Sequence, residues 1–265
     1  MSKVILITGA SSGIGKAIGD FLTINRFKVY GTSRNSSNYL NSKFELLDLD
    51  VKNLESINLC VEKIIEIEGQ IDVLINNAGV GITGPLEEIP EKEIENNFKT
   101  NFFGPINVIK CVLPKMRSKN QGLIINITSV AAYVGTPYRS IYSAAKSALD
   151  LVSETLNMET KPFNIKVVTI APGDFATNIA SRRYHAPNEE KSAYFSGYSK
   201  ALRLMNEHVD SGSDPLLIAK LIFKIIKTKN PNKKYTVGSF LERMAPYLKL
   251  LLPQKLFEYI VMKSY

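Results

Sequence analysis

Short, almost continuous apolar runs alternate along this chain with longer stretches of helical period. The runs Val4–Ile7, Leu123–Ile127 and Val167–Ile170 lack the polar alternation of a half-exposed strand, so they read as strands covered on both faces. Strands are expected over Val4–Thr8, Lys28–Thr32, Phe44–Asp48, Val73–Asn76, Leu123–Thr128, Lys166–Ala171 and Tyr235–Gly238. Helical patterns fill the gaps at about 14–24, 53–68, 91–117, 141–160 and 214–228. Seven strands alternating with helices predict one α/β domain over residues 1–265, a doubly wound parallel sheet with helices on both faces. Two stretches break the rhythm. Residues 175–213 are polar and aromatic, with Tyr184, Tyr194, Phe195 and Tyr198, and are expected to cover the substrate at the C-terminal strand edge. Residues 240–265 form an amphipathic tail, with Lys249, Lys255 and Lys263 spaced among apolar positions.

Composition narrows the classes. A chain of 265 residues with 45% hydrophobic positions suits one large globular domain. No run approaches the ~18 apolar residues of a spanning helix. The first strand begins at Val4 without a signal-peptide pattern, so a cytoplasmic protein is expected. Cys60 and Cys111 lie in apolar patterns without C-x-x-C spacing and read as buried reduced thiols. His185 and His208 are the only histidines, so no metal site is expected. The net charge of +8 is uneven: residues 1–180 carry 18 basic and 18 acidic side chains, residues 181–265 carry 15 and 7. A solvated face on the C-terminal helices is preferred over attraction of an anionic substrate or a membrane surface. Nucleic acid is not expected, because no aromatic-interleaved basic motif accompanies the charge.

Thr8-Gly9-Ala10-Ser11-Ser12-Gly13-Ile14-Gly15 follows the first strand and opens a helix. Glycines there permit positive φ and close approach to a diphosphate, and a helix N-terminus favours negative charge. A P-loop is excluded, because Ala10 and Ala17 stand where glycine and Ser/Thr are required. At the end of the second strand, an acid would hold the ribose 2′-hydroxyl of NAD. The chain has Ser33-Arg34 instead, and a guanidinium pairs with a 2′-phosphate, so NADP(H) is expected.

Tyr142 and Lys146, four apart, share one helical face. An ammonium nearby favours the phenolate and suits a tyrosine that exchanges protons near neutrality. Ser129 follows the strand Leu123–Ile127, where its hydroxyl can donate to a carbonyl oxygen gaining charge. Asn76-Asn77-Ala78-Gly79 ends the fourth strand on the same edge. Asn101 begins a long helix in which Pro105, lacking an N–H, leaves the Asn101 carbonyl without its helical donor. Each feature has a bland alternative: a tight connection, a surface Tyr–Lys pair, a polar turn, a packing kink.

Taken in order, TGASSGIG at Thr8–Gly15, NNAG at Asn76–Gly79, Asn101, Ser129, YSAAK at Tyr142–Lys146 and Pro172–Thr177 resemble the short-chain dehydrogenase/reductase family, from about Lys3 to Gly238. The resemblance is to its steroid/retinoid dehydrogenase-like branch. It implies a Rossmann fold and a catalytic tetrad of Asn101, Ser129, Tyr142 and Lys146. The cofactor contacts it implies are Gly9, Ser11, Ser12, Gly13, Ile14, Gly15, Ser33, Arg34, Asp50, Val51, Asn77, Ala78, Gly79, Tyr142, Lys146, Pro172, Gly173, Phe175 and Thr177. Asp48 stands as an alternative to Asp50 at the adenine. The reaction expected is NADP(H)-dependent interconversion of a carbonyl and an alcohol. Val80, Ala131, Tyr133, Ile141 and Phe175 around the site suggest a bulky lipophilic substrate. The alternatives are an acyl thioester, a small aldehyde or ketone, or a catalytically silent NADP(H)-binding sensor or scaffold. A homodimer or homotetramer is expected, and the tail is expected to cap the substrate pocket or the subunit interface, with peripheral membrane contact with anionic lipid as the alternative.

Overall fold

The computed structural model describes residues 2–39, 41–176, 183–210 and 212–263. The elements run β1 (Val4–Ile7), α1 (Gly13–Ile24), β2 (Lys28–Ser33), β3 (Glu45–Asp48), α2 (Leu54–Glu68), β4 (Val73–Asn76), β5 (Ile82–Thr83), α3 (Glu91–Phe98), α4 (Gly104–Ser118), β6 (Gly122–Ile127), α5 (Ser140–Glu159), β7 (Ile165–Pro172), β8 (Tyr184–His185), α6 (Phe195–Asp210), α7 (Leu216–Lys227), β9 (Lys234–Val237), α8 (Phe240–Leu251) and α9 (Gln254–Lys263).

All seven expected strands form one sheet in the order β3-β2-β1-β4-β6-β7-β9, every pair parallel. The continuous apolar runs have a simple cause: alternate residues enter two different cores. Ile5 and Ile7 of β1 join Val73 and Ile75 of β4 against α1 and α7 on one face. Val4 and Leu6 join Leu74 and Ile124 against α2 and α4 on the other. With both faces covered, no strand position on β1 can be polar, and all four of its residues are buried.

Two features were not foreseen. The helix expected over 91–117 is present, but it widens at Lys99–Phe103 into a π-helical turn in which the Gly104 N–H reaches back to the Lys99 carbonyl. Pro105 follows at once, and the wide turn accommodates a residue that cannot donate. Asn101 therefore lies inside a helical run rather than at its start. The stretch over 175–213 also contains structure of its own, with β8 paired in parallel to β5 and helix α6 behind it. A third core cluster, containing Ile82, Ile89, Ala131, Tyr142 and Tyr198, joins this region to the end of the sheet.

The tail folds as α8 and α9. Ser239 and Glu242 cap α8 reciprocally. Phe257 is buried, but Phe240, Leu241, Leu250 and Leu251 are all more than two-thirds exposed. No described helix is long and apolar enough to cross a membrane.

Candidate active site

The C-terminal ends of β1, β2, β4, β6 and β7 open into one crevice of about 590 Å³. It lies where the strand order reverses beside β1 and β4, the place at which a doubly wound sheet leaves room for a ligand.

Gly9 (φ 66°) and Gly13 (φ 54°) hold the first turn in left-handed conformation. Ala10 ties the turn to β2 by donating to the Thr32 carbonyl at 2.8 Å. Ser12 precedes α1 without a side-chain capping bond, and the first turn carries no acid. Its N–H groups thus have no side-chain acceptor, and Gly9, Ser11, Ser12, Gly13 and Ile14 line the crevice. That arrangement suits a diphosphate. Gly15 lies beneath the turn rather than on the crevice wall. A Cβ there would meet the Gly9 carbonyl and, at 2.5 Å, the Asn77 amide nitrogen. Asn77 donates to the Thr8 and Gly9 carbonyls at 3.0 Å each, which ties the turn to the end of β4.

Ser33, Arg34, Asp50, Val51, Ala78 and Gly79 also line the crevice. Asp48 does not. It pairs beside Ser33, but its carboxylate accepts the Ser36 N–H at 2.6 Å, which holds it below the usual carboxylate range. Of the two acids left open by the sequence, Asp50 is the one at the crevice. It accepts the Lys52 N–H at 2.9 Å, while Val51 is buried against Gly104.

At the other end stand Asn101, Ser129, Tyr142 and Lys146, all buried and all on the crevice wall. Ser129 lies two residues beyond β6, its hydroxyl accepting the Ala131 N–H at 3.2 Å. Tyr142 and Lys146 come from the first two turns of α5, with the ammonium 6.0 Å from the ring centroid. Lys146 donates to the Ile127 carbonyl at 2.9 Å. Asn101 is locked by its side chain, which accepts the Val80 N–H and donates to the Val80 carbonyl and to Asn97. A Cβ on Gly79 would lie 2.9 Å from the Asn101 side-chain oxygen and 3.4 Å from the Lys146 nitrogen, so glycine keeps the space between them open.

Burial pushes the Tyr142 phenol up. The strongest opposing influence is the Arg139 guanidinium, followed by the Ser129 hydroxyl and Arg183, while Asp174 pushes it up further. The sequence pattern assigned this role to Lys146, whereas in the fold two guanidiniums that the pattern missed act on the phenol instead. Arg139 sits three residues before Tyr142 and was legible as a neighbour. Arg183 reaches the site only through the pairing of β5 with β8. Burial brings Lys146 down to about 8.

The turn after β7 carries Pro172, Gly173 and Phe175, all lining the crevice, and Thr177 lies outside the described residues. Gly173 donates to the Val237 carbonyl, and Asp174 donates its N–H to the Glu242 carboxylate from α8. Glu242 packs so close to Gly173 that any side chain there would collide with it. The tail thus braces this turn. The capping pattern of Ser239 and Glu242 was readable, but this second contact was not. Of the apolar residues expected around the site, Val80 and Phe175 line it, with Phe175 mostly in the core. Ala131 and Ile141 lie in the cluster that contains Tyr142. Tyr133 points elsewhere and donates to Asp150 at 2.8 Å.

The lowered Lys146 has a consequence for stability. The native ammonium loses its proton near pH 8, the unfolded one near 10.5. Between those values the unfolded chain holds more protons, so stability rises with pH across that window. At about 1.4 kcal/mol per pKa unit, wild type should gain about 3 kcal/mol relative to Lys146→Met between pH 8 and 10.5, with no relative change below 8. Urea denaturation of the ligand-free proteins measures this, and a pH-independent difference refutes it.

Comparisons with known proteins agree with this geometry. Residues 3–188 match the family model described as short chain dehydrogenase. The chain is 40% identical to a 3-ketodihydrosphingosine reductase of Bacteroides thetaiotaomicron over 97% of its length and 96% of the relative's. It is 31% identical to retinol dehydrogenase 8 of Bos taurus, covering 92% of this chain and 86% of that one. A short-chain dehydrogenase from Streptomyces avermitilis superposes with a TM-score of 0.83 at 29% identity, with both chains fully covered.

Proposed function

The chain belongs to the short-chain dehydrogenase/reductase family of oxidoreductases, and from that premise we propose that it reduces the keto group of a long-chain lipid with NADPH. The observation that carries the chemistry is the meeting of Ser129, Tyr142, Lys146 and Asn101 at one end of a crevice whose other end is the N-terminus of α1. The dinucleotide, when bound, supplies or takes the hydride. Gly9, Ser11–Gly13 and Ile14 would hold its diphosphate, Asp50 and Val51 its adenine, and Pro172, Gly173 and Phe175 its nicotinamide end. Ser129 donates a hydrogen bond to the substrate oxygen as charge develops there. Tyr142 delivers the proton to that oxygen. Lys146, with Asn101 one glycine away, begins the path by which Tyr142 regains its proton.

The lipophilic substrate is supported by Val80, Ile82 and Phe175 on the crevice wall, and by the likeness to a 3-ketodihydrosphingosine reductase. The cofactor preference is supported by Arg34 at the crevice and by the occupation of Asp48 elsewhere. NADPH should bind at least about tenfold more tightly than NADH, and Arg34→Ala should remove most of that difference, since a charge-assisted contact to phosphate contributes about 1.5–3 kcal/mol. Fluorescence titration with both nucleotides checks this, and equal wild-type affinities overturn it.

The exposed apolar residues of α8 and α9, interspersed with Arg243, Lys249, Lys255 and Lys263, favour a second role for the tail as a peripheral contact with anionic lipid. Co-sedimentation with vesicles of anionic phospholipid should be strong for wild type and weak for Leu250→Ser/Leu251→Ser. Equal binding by both removes this role.

A further inference from the structure

Beside Tyr142, the wall of the crevice carries two guanidiniums that favour its phenolate and also line the space open to substrate. Arg139 immediately precedes α5, and its guanidinium carbon lies 5.4 Å from the Tyr142 ring centroid. Arg183 comes from the residue before β8. The registers Ile82 with Tyr184 and Thr83 with His185, together with the Tyr184 N–H bond to the Gly81 carbonyl at 3.1 Å, fix its position. Its side chain runs across Gly81, where a Cβ would lie 2.8 Å from its Cγ. A side chain at 81 would therefore push Arg183 off the wall.

Cations outnumber carboxylates at this end. Arg139 and Arg183 each act on the Tyr142 phenol and Lys146 adds a further cation, against Asp174 and, beside Tyr184, Glu93. Arg183 is desolvated and is also disfavoured by Arg139, with Asp174 opposing. Its Nη1 is shielded from solvent and has no hydrogen-bond partner among the described residues. An arginine cannot escape by losing its proton, so a buried N–H of this kind is costly unless a ligand completes it. The oxygen that gains charge during reduction already has Ser129 and Tyr142 as donors. The Arg183 guanidinium therefore has a donor left for a second negative group.

We propose that the substrate carries a fixed anionic group (a carboxylate, sulfonate or phosphate) close to its keto carbon, held by Arg183 with Arg139. This rests on the reading that the crevice reduces a long-chain ketone, and it adds the charge of the head group. Planar guanidinium donors match the oxygens of such groups, and the low-dielectric wall strengthens the pairing. Val80 and Ile82 on the crevice wall then meet the chain while the guanidiniums take the head, which fixes the keto carbon between them.

A matched set of ketones tests this: 2-oxododecane-1-sulfonate, 2-oxododecylphosphonate, 4-oxododecanoate, neutral 2-dodecanone and the cationic 3-ketodihydrosphingosine. At low ionic strength the best anionic ketone should exceed both 2-dodecanone and 3-ketodihydrosphingosine in kcat/KM by at least tenfold, mainly through KM. Arg183→Met should bring the anionic-to-neutral ratio near one, and Arg183→Lys should restore part of it. A wild-type ratio of one or less, preference for the cationic ketone, or a ratio unchanged in Arg183→Met overturns the proposal while the reductase reading stands. Turnover of none of the five ketones would instead count against the reductase reading. Calorimetry with hexane-1-sulfonate then decides the anion site on its own. Saturable binding in wild type that is lost in Arg183→Met supports the site, and absent or unchanged binding overturns it.

Discussion

Tyr142→Phe should lower kcat by about 10²–10⁴-fold, the range expected for loss of a positioned proton donor. The dissociation constant for the dinucleotide should change by less than about threefold, because the lost hydroxyl acts chiefly in the transition state. The substitution is unusually clean. Tyr142 packs in a cluster with Ile82, Ala131 and Tyr198, and phenylalanine keeps that ring contact. Neither the Lys146 bond to the Ile127 carbonyl nor the Asn101 bonds to Val80 involve the phenol. Single-turnover oxidation of bound NADPH, followed by absorbance, separates the chemical step from cofactor affinity. Turnover within tenfold of wild type would exclude Tyr142 as the proton donor.

Gly15→Ala should weaken dinucleotide binding by at least about tenfold, since losing one charge-assisted hydrogen bond to the diphosphate costs about 1.5–3 kcal/mol. It should also destabilise the fold by about 1–3 kcal/mol, the usual range for forcing an extra methyl into a packed site. The new methyl would run into the Gly9 carbonyl and the Asn77 amide nitrogen. Neither can give way easily. The Gly9 carbonyl is backbone in a left-handed turn, and Asn77 is held by two carbonyls of that same turn. Relief must come from shifting Gly9–Gly13, the segment placed for the diphosphate. Gly69→Ala is the control: it sits at φ 72° with open space around it, and should cost about 1–2 kcal/mol without changing nucleotide affinity. Thermal unfolding together with nucleotide titration separates the two effects. Normal affinity in Gly15→Ala would show that the turn does not hold the diphosphate.

The legible part of the site is the part built from local sequence. Ser129 is two residues past a strong apolar strand, Tyr142 and Lys146 share a helix face, and the glycine turn joins β1 to α1. For these, chain neighbours determine position, and strand or helix period determines direction. Asn101 was found by type but not by context, because its π-helical turn depends on how Pro105 is accommodated within a longer helix. The sequence preferred Asp50 to Asp48, and Asp50 is the one that lines the crevice. Asp48 is occupied instead by the Ser36 N–H, a contact made across a loop that Asp-Leu-Asp alone does not show.

The sequence by itself determined the seven strands and their parallel arrangement, since runs such as Val4–Ile7 must be covered on both faces. It also determined the edge at which the reactive side chains, a tyrosine with a serine and a lysine, come together. Only the tertiary structure decided what surrounds that chemistry. Arg183 arrives through a two-residue strand pairing more than 100 residues away in the chain, and Glu242 braces the Pro172–Phe175 turn from the tail. Short strands and single ionic contacts leave no periodic trace, because their partners are chosen by packing after the sheet has formed. The same packing withdraws Tyr142 and Lys146 from water, and desolvation in the folded crevice governs which protons they hold.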